Sequence, residues 1–216
     1  MRKKFKYHNN NTYALNPLEV KVSDKKLKEL CPELYGISGL CISVALFFKG
    51  KNIKGRIKEH VKYGASEPAI VMSKSPLLIA AYSGDIDCVA ILKFPDYLAE
   101  KYQLEEKSKL ITVNTYFREN DYQSDLIPKW ELDDGSGEEN EDDSLNQNTY
   151  KCMWSGFHPI IAEFVSDDLS QIAKRKSQIS DDEWEYVYQL GLEYLESKPN
   201  VYRDGNPYLS IGPLNG

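Results

Sequence analysis

The sequence has no long apolar run and lacks the common nucleotide and hydrolase patterns. No apolar stretch reaches the length of about 18 residues that a membrane-spanning helix requires. The basic start, Met-Arg-Lys-Lys, is not followed by an apolar segment, so no secretory signal is expected. Phosphate-binding, dinucleotide-binding and Gly-x-Ser-x-Gly patterns do not occur either. We therefore predict no membrane interaction and no cofactor.

Cysteine is scarce, and its spacing does not suggest disulfides or a metal site. The four cysteines are isolated, with no Cys-x-x-Cys pair: Cys31, Cys41, Cys88 and Cys152. A chain of 216 residues can bury a core without disulfides, and Cys88 lies within an apolar run, as a small buried hydrophobe would. We predict a reducing, cytoplasmic location.

Histidine occurs only at positions 8, 60 and 158, and none has a second metal ligand at helical or strand spacing. No metal ligand is therefore predicted. His158 is the candidate catalytic residue, because groups that could assist it lie nearby in sequence: Cys152, Glu163, Asp167 and Asp168. Such a pair must be in hydrogen-bond contact in the fold, which spacing alone does not establish. A lone histidine before a proline is more commonly structural, so no catalytic residue is assigned.

Residues 68–117 are the most apolar part of the chain, and the flanking segments are mostly charged. Two apolar runs, 77–82 and 86–94, are separated by Ser83-Gly84-Asp85, which suits a tight turn. Residues 110–117 alternate between more apolar and more polar positions, as a half-buried strand does. We predict that this region builds a mainly antiparallel sheet.

A helical interpretation of the same region is also open, because residues 86–93 follow helical spacing. One part resembles an ankyrin repeat on these residues: Ser75-Pro76-Leu77-Leu78-Ile79-Ala80-Ala81, Gly84 and Val89 to Leu92. Tyr63-Gly64-Ala65 resembles the end of a preceding repeat, whereas Leu78 replaces the usual histidine of the motif. The resemblance covers about thirty residues, and stacking needs ~3 repeats or more, yet no further copy follows. It implies ankyrin-like, all-α packing around residues 50–93 as the alternative fold.

Capping signals predict helices on either side of this core. They lie at Ser23-Asp24, Pro95-Asp96, Ser166-Asp167-Asp168 and Ser180-Asp-Asp-Glu183. The last two predict helices over 167–177 and 181–197, and the helix after Pro95 is expected to reach about Leu104. Residues 160–165 are predicted to be a strand or a short helix.

Residues 49–62 are predicted to form a basic amphipathic helix, with Ile53, Ile57 and Val61 as its apolar stripe. Its cationic face could bind phosphate backbones. No recognised nucleic-acid module accompanies it, so the sequence favours a solvated helix face. The preceding residues, 41–48, are predicted to be a strand.

Charge is distributed unevenly along the chain. Residues 1–62 hold 14 Lys and Arg against 5 Asp and Glu, a net charge of +9, and residues 63–216 have a net charge of −15. Residues 130–150 contain no Lys or Arg and lack the order of an EF-hand loop. We predict a disordered acidic loop over 131–149 and a loose N-terminus over 1–16.

Together these features predict a single α+β domain over residues 1–216, with helices 167–177 and 181–197 flanking the sheet. The favoured function is non-catalytic binding of a protein partner, a basic one, in an immunity-type or adaptor role. Two alternatives are a hydrolase-like enzyme centred on His158 and nucleic-acid binding through residues 49–62. The sequence predicts no oligomeric state.

Overall fold

The computed structural model describes residues 14, 16–35, 43–85, 87–115, 127–128 and 157–207. The predicted acidic loop, 131–149, and residues 1–13 and 15 of the predicted loose N-terminus lie outside these described residues. None of the described helices combines the length and the apolar character that crossing a membrane requires.

The described helices are α1 (Asp24–Leu30), α2 (Ser43–Tyr63), α3 (Tyr97–Lys101), α4 (Ala162–Val165), α5 (Leu169–Lys176) and α6 (Asp181–Ser197). A short 3-10 helix spans Pro32–Leu34. The described strands are β1 (Ala65–Lys74), β2 (Leu77–Ser83), β3 (Cys88–Phe94), β4 (Lys109–Thr115), β5 (Ile127–Pro128), β6 (His158–Ile161) and β7 (Arg203–Asp204).

These strands form one sheet in the order β5-β3-β2-β1-β4-β6, and β7 adds to β3 in parallel. All the other pairings are antiparallel. Strands β2 and β3, which fall in the two runs predicted as neighbouring strands, pair along their full length, from Leu77 opposite Phe94 to Ser83 opposite Cys88. The predicted α+β class with a mainly antiparallel sheet is confirmed, and no ankyrin-like repeat occurs at 50–93 in the described residues.

Helix α6 packs across β1, β2 and β3, and its position depends on a glycine. A Cβ atom at Gly191 would lie 2.8 Å from Met72 Sδ and 3.0 Å from Ala80 Cβ. Both contacts are closer than ordinary van der Waals distances, so only glycine allows the helix to approach the sheet this closely. Helices α2, α4 and α5 pack against β4.

Helix α6 begins where its capping signal predicts. Ser180 Oγ accepts a hydrogen bond from the Glu183 N–H at 3.1 Å. Its inward side is buried at Trp184, Val187, Tyr188, Gly191 and Tyr194. In α5 the capping side chain is Asp168, which accepts from the Gln171 N–H.

One predicted strand is wrong. Residues 43–48 of the predicted strand 41–48 are the first turns of α2, which continues without interruption into the predicted basic helix 49–62. In a short apolar run, the spacing of the apolar residues does not distinguish a strand from a buried helix. Here the amphipathic stripe that follows extends the helix back into the apolar run.

Candidate functional site

His158, the candidate catalytic residue, lies in β6 opposite Thr115 of β4. The carboxylate of Glu163 accepts hydrogen bonds from the Ile111 N–H, at 3.2 and 3.3 Å from its two oxygens. Ile111 and Thr115 are four residues apart along β4. At ~3.3 Å per residue this separation is about 13 Å, beyond the reach of a hydrogen bond.

Two other groups that could assist His158, Asp167 and Asp168, have structural partners. Asp167 forms an ion pair with Lys26 at 3.3 Å. Asp168 caps α5 through the Gln171 N–H. Cys152 lies outside the described residues. Within the described residues, the structure therefore separates Glu163 from His158 and gives Asp167 and Asp168 other partners.

The Glu163 side chain supplies a hydrogen-bond acceptor to β4 at the point where β6 ends. Strand β6 pairs with β4 only as far as Ile161 opposite Thr112, and the next N–H of β4 donates to the Glu163 carboxylate instead of to a backbone carbonyl. Lys176 of α5 lies 2.7 Å from Glu163 Oε1. Burial raises the pKa of Glu163, and Lys176 opposes this shift. The ion pair between Glu163 and Lys176 holds α5 against the edge of the sheet.

His60 is a second buried titratable group, on the inward side of α2. A carbonyl oxygen can only accept, so His60 Nε2 donates to Val113 O at 2.7 Å. The Nδ1 atom lies 2.9 Å from Thr115 Oγ1. The sequence signal for this burial was present, since His60 follows Ile57 by three positions and so shares its helical face.

The described residues offer little for metal or phosphate binding. Among them, no group of three or more His, Cys, Asp or Glu side chains is arranged to hold a metal ion. Two cations of the basic helix already have contacts within the chain: Lys58 pairs with Asp24 at 2.9 Å, and Lys54 lies 3.2 Å from the centre of the Tyr35 ring.

A surface of uniform charge is found instead on α6. This helix of 17 residues carries six acidic residues and no Lys or Arg. We call seven of its exposed residues the acidic face: Asp181, Asp182, Glu185, Gln189, Leu192, Glu193 and Glu196. They recur at spacings of three and four, so they form one stripe opposite the buried side.

Two lysines from outside the helix neutralise part of the acidic face. Lys109 pairs with Asp181 at 2.7 Å and Lys107 with Glu185 at 3.7 Å. Within the described part of the chain, the carboxylates of the remaining acidic residues on this face make no ion pair or hydrogen bond: Asp182, Glu193 and Glu196. Glu196 lies in the last turn, where the helix dipole favours a cation.

The N-terminal half of α6 is held to the turn between β2 and β3 by what we call the tyrosine–aspartate cluster. The hydroxyls of Tyr82 and Tyr186 both donate to Asp87 Oδ1 at 2.8 Å. The two rings meet edge to face, with centroids 5.9 Å apart. Asp87 has a φ of 43°, a left-handed conformation that is uncommon for a residue with a side chain.

This cluster could not be predicted from the sequence, because Tyr186 is 99 residues away from Asp87 in the chain.

Comparison with protein-family models, with curated proteins and with solved structures finds no match to this chain.

Proposed function

We propose that this protein is a non-catalytic binding protein, of an immunity or adaptor type in the cytoplasm, whose acidic face contacts a basic partner protein. One observation carries the proposal. Helix α6 presents five acidic side chains on its exposed side and no Lys or Arg of its own, even in the last turn, where Glu196 opposes the helix dipole.

This arrangement costs stability locally and therefore calls for a reason outside the fold. An anion at a helix C-terminus is unfavourable by about 0.3–1 kcal/mol. The carboxylates of Asp182, Glu193 and Glu196 have no compensating contact within the described residues. A basic partner surface would neutralise them on binding, and their field would also speed its approach. Leu192, which is 39% exposed between them, supplies an apolar contact at the centre of the face.

The test compares two charge reversals of equal size. Glu193→Lys changes the acidic face, whereas Glu100→Lys changes an exposed glutamate of α3 whose side chain likewise makes no ion pair in the described structure. A lysine-rich peptide serves as the basic probe, and its affinity is measured by fluorescence anisotropy at low and high ionic strength.

We expect Glu193→Lys to weaken binding of the probe by about tenfold at low salt, because an attraction of up to ~1 kcal/mol becomes a repulsion of similar size. Glu100→Lys should bind nearly as the wild type does. High salt should abolish the difference, since exposed charges are screened. An equal loss of affinity for the peptide in both variants would show that only the net charge of the protein matters, and the proposal would then be wrong.

A further inference from the structure

Glu67 of β1 is a partly buried acid, and none of the described residues donates a hydrogen bond to its carboxyl group. It lies opposite Thr112 of β4. A Cβ atom built at Gly84 would be 3.8 Å from Glu67 Oε2 and 3.7 Å from Tyr82 Cε1, so the carboxyl group lies beside the β2–β3 turn and the Tyr82 ring. Within the described part of the chain, the Glu67 carboxyl makes no hydrogen bond or ion pair.

The groups around Glu67 are mostly acidic. The titratable or charged groups that act on it come from β2, the turn, α6 and α5: Tyr82, Asp85, Glu183 and Arg175. Burial, and then the charges of Asp85 and Glu183, raise the pKa of Glu67 to about 7, and the charge of Arg175 opposes this rise. The Arg175 guanidinium is itself engaged, since it donates to the carbonyl oxygen and to the hydroxyl of Ser66, each at 2.9 Å.

The turn beside Glu67 is also where α6 is attached. Tyr186 of α6 and Tyr82 of β2 share one acceptor, Asp87 Oδ1. Ionisation of Glu67 would add a negative charge beside two others, that of Asp85 in the turn and that of Glu183 in α6. Coulomb repulsion among such charges grows as the local dielectric falls. Ionisation of Glu67 therefore acts against the packing that the tyrosine–aspartate cluster maintains.

We propose that Glu67 is a pH-sensitive latch: its neutral carboxyl group permits Gly84, Asp85 and Asp87 of the β2–β3 turn to pack against the N-terminal half of α6, and its ionised form loosens this contact. Below the ordinary pKa of 4.5, the group is protonated whether the contact is packed or open. Between 4.5 and about 7 the packed form keeps the proton that the open form has lost. The packed contact is therefore strongest at the acidic end of this range and weakens as pH rises through it.

Hydrogen exchange of the wild-type chain measures the latch, since the amides of residues 181–190 exchange when the contact opens. After correction for intrinsic exchange, we expect protection of these amides to fall roughly 70-fold between about pH 5 and about pH 8. The Glu67→Gln variant, which cannot ionise, should show little change over the same range. Glu100→Gln, the matched exposed variant, should behave as the wild type does.

A loss of protection in Glu67→Gln equal to that of the wild type, or no loss in the wild type, would overturn the proposal. If Glu67→Gln does not fold, carbon-13 NMR of the Glu67 carboxyl group in the wild type tests the proposal instead. A midpoint near 7 together with shifts of the Tyr186 ring signals supports the latch. A midpoint at or below the ordinary 4.5, or ring signals that do not follow the titration, would overturn it.

Discussion

Replacing Lys176 by methionine tests whether the buried pair with Glu163 holds α5 against the sheet. The Glu163 side chain is only 8% exposed, and Lys176 Nζ lies 2.7 Å from its Oε1 atom. Methionine has a similar length and no charge, so Lys176→Met removes the cation without opening a large cavity. It leaves the carboxylate with the Ile111 N–H as its remaining donor among the contacts described above.

The expected cost is large for a single substitution. Removing one partner of a buried ion pair costs about 3–5 kcal/mol, because the other charge stays in a poorly solvated site. The Lys176 side chain is 28% exposed, so water reaches this end of the pair, and we expect a value near the lower limit, about 3 kcal/mol. Part of it comes from the bond that Lys176 also donates to Lys109 O, about 1 kcal/mol.

The loss of unfolding free energy in Lys176→Met should become larger as pH rises. Burial raises the pKa of Glu163, and the loss of Lys176 removes a charge that lowers it, so the folded pKa rises further in the variant. A raised folded pKa gives stability that is present below the unfolded value of 4.5 and is lost as pH rises through the folded value. Lys176→Met should therefore be closer to the wild type at about pH 5 than at about pH 8.

Urea unfolding at these two pH values measures the free energy of unfolding. The control is the double variant Glu163→Gln with Lys176→Met, whose neutral amide oxygen still accepts from the Ile111 N–H. We expect the double variant to be more stable than Lys176→Met alone by about 1–2 kcal/mol at neutral pH. A deficit for Lys176→Met that is below about 1 kcal/mol, or is equal at both pH values, would refute the reasoning.

Two further substitutions test the attachment of α6. Gly191→Leu should lower the free energy of unfolding by about 2–3 kcal/mol, since its Cβ alone would lie 2.8 Å from Met72 Sδ, and an unchanged urea midpoint would contradict the close approach. Tyr186→Phe should cost about 1–2 kcal/mol through the lost bond to Asp87, measured by urea unfolding. Tyr97→Phe, at a tyrosine that is 45% exposed, should cost almost nothing, and equal losses in the two variants would contradict a role for that bond.

The elements that could be predicted from the sequence are those fixed by local chemistry. Ser180 and Glu183 are three residues apart, and the serine oxygen meets the Glu183 N–H as the capping pattern predicts. The β2–β3 hairpin is likewise local, because Ser83-Gly84-Asp85 joins two apolar runs that pair directly. Residues 43–48 form a short apolar run that precedes an amphipathic stripe. Local chemistry does not distinguish a strand from a helix in such a run, and the strand prediction was wrong.

The polar groups of the interior could not be predicted, because each depends on a distant partner. The Glu163 carboxylate accepts from Ile111, 52 residues away in the chain. Glu67 stands in Ala-Ser-Glu-Pro, a sequence that looks like exposed loop, and its burial follows only from the register of β1 against β4. Side-chain patterns indicate which face of an element is apolar, but not which polar group fills a gap at a sheet edge.

The two halves of α6 are stabilised in different ways, and under the proposed function this difference predicts which half a basic partner contacts. In the N-terminal half, Lys107 lies 4.1 Å from the centre of the Tyr188 ring and 3.7 Å from the Glu185 carboxylate, so acid and aromatic group belong to one internal contact. In the C-terminal half the described structure provides no cation for the carboxylates of Glu193 and Glu196. Charges that the fold leaves uncompensated remain available to a partner, whereas paired charges must first be separated. The C-terminal half of α6 should therefore dominate recognition of a basic partner.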